Sequence, residues 1–393
     1  MTRLAYLDHN AGAPARPEVI AAMVEALAEP GNPSSVHAPG RRARARLEAA
    51  RAAIAGLVGA PAAAVVFTSG GTEANNLILR GCGRETVLVS AVEHASVREA
   101  VPGARIIPVD GVGIVDLAAL EDLLGQGGPA LVSVMLANNE TGVIQPVAEI
   151  AALARRFGAL VHCDAAQAPG RLSVSLSELN VDFLTLSAHK LGGPPGIGAL
   201  IGANPDMAVA PILLGGGQER RRRAGSENLA GIIGFGIAAR LAAENGAASG
   251  GMMRELRDHL EAAVKVRVPG AVILGEGAER LCNTSCLALP GVAAQVQVMA
   301  LDLAGVAVSA GSACSSGKVG ESAVLKAMGL GSEIAGSAIR VSLGPDSTAQ
   351  DVEMFLTAWC ELARRKGFEV PAPSAGTGPP LRRRPNERMR VPG

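Results

Sequence analysis

Short apolar runs rich in β-formers alternate with longer Ala- and Leu-rich segments, and this alternation narrows the fold more than any other feature of the chain. "AVVFTS" (64–69) precedes "TEANNLILRG", and "TVLVS" (86–90) precedes "EHASVREAV". "ALVSVMLA" (130–137) leads through "NNETGVIQP" into "VAEIAALARRFG", and "ALVHCDA" (159–165) and "VDFLTLS" (181–187) follow. Continuous apolar strands separated by helices imply an α/β fold, a mostly parallel sheet covered on both faces. At 393 residues the chain exceeds what one core ordinarily serves, so two domains are expected. The large one is assigned to residues 15–255. "ASGGMMRELRDHLEAAVKV" opens a smaller α+β domain, residues 256–370 together with 1–14. From 371 the chain reads "PAPSAGTGPPLRRRPNERMRVPG", a basic tail with no apolar periodicity, expected to be disordered.

Composition excludes several function classes. Acidic and basic residues balance at 36 each, so no global field draws the protein to nucleic acid or to a membrane. Aromatics are only 2% of the chain, too few for base-stacking platforms. The opening "MTRLAYLDHNAGAPARPE" lacks an apolar run of signal-peptide length, and no run of about 20 apolar residues could span a bilayer. A cytoplasmic location with reduced thiols is therefore expected. Cys282 and Cys286 in "CNTSC" have no second pair of ligands nearby, so no metal site is expected.

In open α/β sheets ligands sit beyond the carboxyl ends of the strands, and the chemistry-bearing residues of this chain cluster there. After 64–69 comes "SGGTE", where Gly71 and Thr72 open a helix whose free N–H groups could hold a phosphate. Thr72 alone is equally an ordinary N-cap. After 86–90 comes His94, after 130–137 Asn139, after 159–163 Asp164 and Gln167. Lys190 follows 181–187 and precedes the glycine-rich "LGGPPGIG". It is one of only five lysines, with 265, 318, 326 and 366. Together these residues meet the needs of pyridoxal 5'-phosphate (PLP): a phosphate cradle, an acid for the pyridine nitrogen, flat cover for the ring and an amine for a Schiff base. The competing dinucleotide site lacks its G-x-G-x-x-G turn.

These fragments, with "GNPSSVH", "GGGQERRRRAGSEN" and "SAGSAC", occur in an order and spacing that resembles the cysteine desulfurases of the NifS/IscS type, PLP enzymes of the class V aminotransferase family. The likeness runs from "YLDHNAGAP" to "AIRVSLG" near residue 344 and on, more weakly, through the last helix. It implies the PLP-dependent transferase fold of type I, a homodimer, and conversion of L-cysteine to L-alanine. Sulfur passes to a persulfide on Cys314 and on to an acceptor such as an iron–sulfur scaffold protein. By resemblance, Lys190 binds the cofactor aldehyde and Asp164 the pyridine nitrogen, and Gln167 and Asn139 bond the region of the ring oxygen. His94 stacks on the ring and moves protons. Gly71, Thr72, Ser187 and His189 hold the phosphate, and Ser226 reaches the phosphate of the neighbouring subunit. Arg340 grips the substrate carboxylate, assisted by Asn32. "NAGAP" replaces the family's common Ala-Thr-Thr-Pro, and Pro195 stands where a lysine is frequent. A selenocysteine lyase, or a transaminase or kynureninase-like member of the same class, is the alternative. The small residues of "SAGSACSSGKVGES" (309–322) favour the desulfurase, since a thiol that collects sulfur and delivers it must travel.

Overall fold

Seven strands form the central sheet, in the order Val65–Thr68, Gly198–Gly202, Phe183–Ser187, Leu160–Asp164, Ala130–Ser133, Thr86–Ser90, Arg105–Ile107. The computed structural model describes residues 3–311 and 321–371, so Cys314 and the basic tail from 372 lie outside the described residues. Every neighbouring pair is parallel except those made by Gly198–Gly202, which runs antiparallel to both its neighbours. The expected mostly parallel sheet is therefore present. Two of its strands escaped the sequence reading. Arg105–Ile107 is a three-residue edge, and "GALIG" reads as a continuation of the glycine-rich connection before it.

The apolar runs are continuous because both faces of the sheet are packed. Val87 and Val89 enter the core on one face, with Leu77, Ile78 and Leu131. Leu88, between them, enters the core on the other face, with Ile54, Val132 and Phe235. Each such side chain contributes about 1.5–3 kcal/mol on full burial.

A second core lies around Leu260, Leu287, Phe355 and Trp359, and Ala5 and Leu7 from the N-terminus join it. Phe355 and Trp359 stack at 5.7 Å, and the buried indole nitrogen donates to Gln297 Oε1 at 2.9 Å. Here the sheet is antiparallel, ordered Ser309–Ala310, Ala338–Ser342, Thr284–Ala288, Val272–Leu274. The two cores share one helix, Leu229–Arg267, with Asn228 capping its start by accepting from the Gly231 N–H. Its 39 residues span about 58 Å. Phe235 and Ala239 serve the first core, and Met253, Leu256 and Leu260 serve the second. Among the described residues no helix is long and apolar enough to cross a membrane.

Candidate active site

The carboxyl ends of the parallel strands open on a cleft of about 790 Å³. Gly71, Thr72, His94, Asn139, Asp164, Gln167, Ser187, His189, Lys190 and Arg340 all line it. Residues spread over 270 positions of sequence therefore converge because each stands at or beyond the end of a strand of one sheet or, for Arg340, in a strand of the second sheet.

At one end of the cleft the helix Gly71–Gly81 begins. Its first N–H groups have no acceptor within the helix, and the helix dipole adds partial positive charge. Ser187 stands close by: a Cβ added to Gly71 would lie 3.5 Å from the Ser187 Cβ. The Ser187 hydroxyl meets His189 Nδ1 at 3.0 Å. Burial and the neighbouring Lys190 charge push the His189 imidazole down to about 4, so it is neutral at pH 7. Gly198 sits between these groups, paired with Thr68 on one side and Ser187 on the other. A Cβ there would come within 2.5 Å of the Gly70 carbonyl carbon and 2.8 Å of the Gly71 nitrogen, so this strand must begin with glycine.

In the floor of the cleft the Asp164 carboxylate accepts from Asn75 Nδ2 at 2.7 Å and from the Ala166 N–H at 3.0 Å. Beneath it, burial lowers the His162 imidazole to about 4, and that ring is spanned by Ser133 and Thr185 at 2.8 and 2.9 Å. Lys190 Nζ donates to the carbonyls of Asn10 and Ala11, the second at 2.9 Å. On the wall, His94 Nδ1 accepts from the Ser96 N–H at 3.1 Å. A backbone N–H can only donate, so the neutral ring carries its proton on Nε2. Arg340 is buried, with one guanidinium nitrogen on Asp8 at 2.8 Å and another on the Asn139 carbonyl at 3.0 Å. Its Nε, also buried, has no hydrogen-bond partner among the described residues.

Two predicted residues lie elsewhere. Asn32 is exposed and uses its Oδ1 to accept from the Ser34 N–H at 2.8 Å, a turn-capping role away from the cleft. Ser226 is exposed and does not line its own chain's cleft. It follows Glu219, Arg220 and Arg221, three successive residues with φ of 45°, 55° and 65°. Side chains rarely adopt that left-handed region. The Glu219 carboxylate anchors the segment, accepting from Arg51 at 2.7 and 2.9 Å and from the Phe67 N–H at 2.9 Å. Cys314 is outside the described residues.

Sequence reasoning missed four groups. Glu93 lines the cleft, buried, and accepts from the Met135 N–H at 2.6 Å, while its Oε2 has no hydrogen-bond partner among the described residues. Burial, and then the Asp164 charge, raise its carboxyl well above the ordinary range. Glu140 accepts from the Ser322 hydroxyl at 2.5 Å, and burial raises it to about 7 against the pull of that hydroxyl, Arg340 and His94. Asn10 supplies the carbonyl used by both Lys190 and Gln167. Arg171 binds three segments of the site at once. Glu93 beside His94, Glu140 beside Asn139 in "NNETG" and Asn10 in "YLDHNAGAP" all lie within quoted motifs that could have signalled their place, and Arg171 alone of the four stands outside them.

The Aminotransferase class-V family model matches residues 5–355. A cysteine desulfurase of Cereibacter sphaeroides is 44% identical over 367 residues, 89% of this chain and 93% of that one. The cysteine desulfurase IscS of Dictyoglomus turgidum is 39% identical, covering 91% and 93%. Among solved structures, a NifS-like protein from Rickettsia africae superposes with a TM-score of 0.86 at 36% identity, over 92% of this chain and 100% of that one. A fold with these strand-end groups, and sequence likeness across nearly its whole length, leads to one assignment: the chain belongs to the class V aminotransferase family, in its cysteine desulfurase branch.

Proposed function

We propose that the cleft binds PLP and that the chain releases sulfur from L-cysteine onto Cys314, leaving L-alanine. The observation that carries this reading is the convergence of Lys190, Asp164, His94 and the helix start at Gly71 on one cleft. The donor set fits the cofactor. N–H groups at a helix start and the Ser187 hydroxyl suit a phosphate dianion. Asp164, with both oxygens already hydrogen-bonded, suits a protonated pyridine nitrogen. When bound, PLP supplies an electron sink for the charge left on the amino acid after loss of its Cα proton.

The chain's own residues do the rest. Arg340 binds the substrate carboxylate through its two-pronged donor geometry. Lys190 takes the Cα proton on Nζ. The Cys314 thiolate attacks the substrate's sulfur: the S–S bond forms, the Cβ–S bond breaks, and the bonding pair stays with carbon, which is protonated to give alanine. His94, with its proton on Nε2, is a donor toward the cleft rather than a base at that atom. The Cys314 persulfide then passes its outer sulfur to a protein acceptor, an iron–sulfur scaffold being the chemistry that fits. The exposed Ser226, on its strained and anchored segment, is offered to the phosphate site of a second copy. The chain works in the cytoplasm, where its thiols stay reduced.

Cys314→Ser tests the route. Alanine formation from cysteine should fall at least 100-fold, and no protein-bound persulfide should appear on alkylation and mass analysis; the wild-type rate in this variant would remove Cys314 as the sulfur acceptor. Gly198→Ala tests the cradle. The added methyl has no room beside Gly70 and Gly71, and a forced shift of this kind costs about 1–3 kcal/mol. The PLP dissociation constant, read by titrating the apo-protein, should rise about tenfold or more. Unchanged affinity would mean that this turn does not carry the phosphate.

A further inference from the structure

Arg171 has no role in the chemistry above, yet this half-buried residue lines a small cavity of about 70 Å³ beside the site. Among the described residues it makes no ion pair, unlike the enclosed Arg51, Arg280 and Arg340, each of which has a carboxylate. Partly desolvating a cation without a carboxylate partner has a cost, and such groups concentrate at functional sites. Burial lowers its pKa only to about 10, so it stays charged at pH 7.

Its partners are all parts of the site. Nη1 donates to the Gln167 carbonyl at 2.9 Å and to Gln167 Oε1. Nη2 faces the carbonyls of His9 at 3.3 Å and of Lys190 at 3.5 Å. A guanidinium has five donors and no acceptor, so the end of the Gln167 amide that meets it must be the oxygen. Nε2 is thereby turned the other way. One of its N–H groups goes to the Asn10 carbonyl at 3.1 Å, and the second is left for the cleft that Gln167 lines. Asn10 also receives Lys190 Nζ. Arg171 thus fixes both the turn that receives Lys190 and the direction of the Gln167 amide.

We propose that Arg171 is a positioning residue: it locks Gln167 with its amide donor toward the ligand's anionic oxygen, and its fixed charge favours that anion over a protonated neighbour. The inference rests on the PLP reading above and concerns how this chain tunes the bound group.

The test follows the visible absorption of the loaded enzyme as a function of pH, with kcat and KM for cysteine, in Arg171→Met, Arg171→Lys, Gln167→Leu and the double variant Arg171→Met with Gln167→Leu. Removing the positive charge and the amide lock lets the bound chromophore hold its proton to higher pH. Its titration midpoint should rise by about one pH unit in Arg171→Met, and kcat should fall more than KM changes. Lysine should restore most of the shift, and in the Gln167→Leu background the methionine change should add little. Should Arg171→Met not fold, Arg171→Gln is read in the same way. A midpoint equal to the wild type, a lysine variant that behaves like methionine, or a full additional shift on top of Gln167→Leu would each overturn the proposal. A wild-type protein with no visible band on reconstitution would instead sink the cofactor reading, before any variant is made.

Discussion

Lys190→Ala is expected to abolish the visible absorption of the reconstituted protein and to reduce alanine formation from cysteine by roughly 10³-fold or more. Two separate losses combine. The first is the amine that tethers the cofactor, without which the ligand should be removed by desalting. The second is the base at the Cα proton; positioned bases of this kind contribute about 10²–10⁴. The local structure limits indirect damage. Lys190 ends a short helical turn after Phe183–Ser187, and its Nζ donates to the main-chain carbonyls of Asn10 and Ala11, which can take water instead in the alanine variant. Melting temperature should therefore change little while the spectrum and the rate collapse. A persisting band resistant to desalting would show that another of the few lysines makes the covalent link.

The residues proposed to do the chemistry were legible because strand ends were legible. An apolar run such as "DFLTLS" is unmistakable when both faces of a sheet are buried, and Lys190, Asp164 and His94 stand just beyond such runs. The groups that tune them were not. Arg171 is held by the carbonyl of His9, 162 positions away, and a main-chain acceptor leaves no trace in side-chain identity. Glu140 is raised to about 7 by burial, against the pull of the Ser322 hydroxyl, 182 positions away. Burial of this kind is a property of the assembled fold.

Glycine misled the reading at Gly198–Gly202, which looked like a loop, yet it is an interior strand whose first residue is glycine because the Gly70–Gly71 turn lies against it. The stretch "ASGGMMRELRDHLEAAVKV", assigned to the opening of the second unit, lies within the helix Leu229–Arg267, which runs unbroken through Gly246, Gly250 and Gly251. Alanine and the packed turns on either side outweigh glycine's cost of about 1 kcal/mol per position.

Asp164→Asn is expected to lower kcat for alanine formation by about 10²–10³-fold and to weaken PLP binding, with the protein still folded. An amide at this position matches the carboxylate in shape but not in hydrogen bonding. Both Asp164 oxygens accept, one from Asn75 Nδ2 and one from the Ala166 N–H. The –NH₂ of asparagine must face one of these donors, or the pyridine nitrogen itself. Removing one partner of an enclosed charge pair costs about 3–5 kcal/mol, which corresponds to a factor of about 10² to 10³ or slightly more. In the proposed reading the Asp164 carboxylate would keep a proton on the pyridine nitrogen, and its loss would weaken the electron sink that bound PLP would supply. Glu93 gives an independent readout, because the Asp164 charge is one of the two causes that raise its carboxyl. Once that charge is gone the Glu93 carboxyl should titrate at lower pH, which infrared spectra of the apo-protein can follow through the protonated carboxyl band. A variant with wild-type kcat and an unmoved Glu93 band would mean that Asp164 neither faces the ring nitrogen nor sets the field on the floor of the cleft.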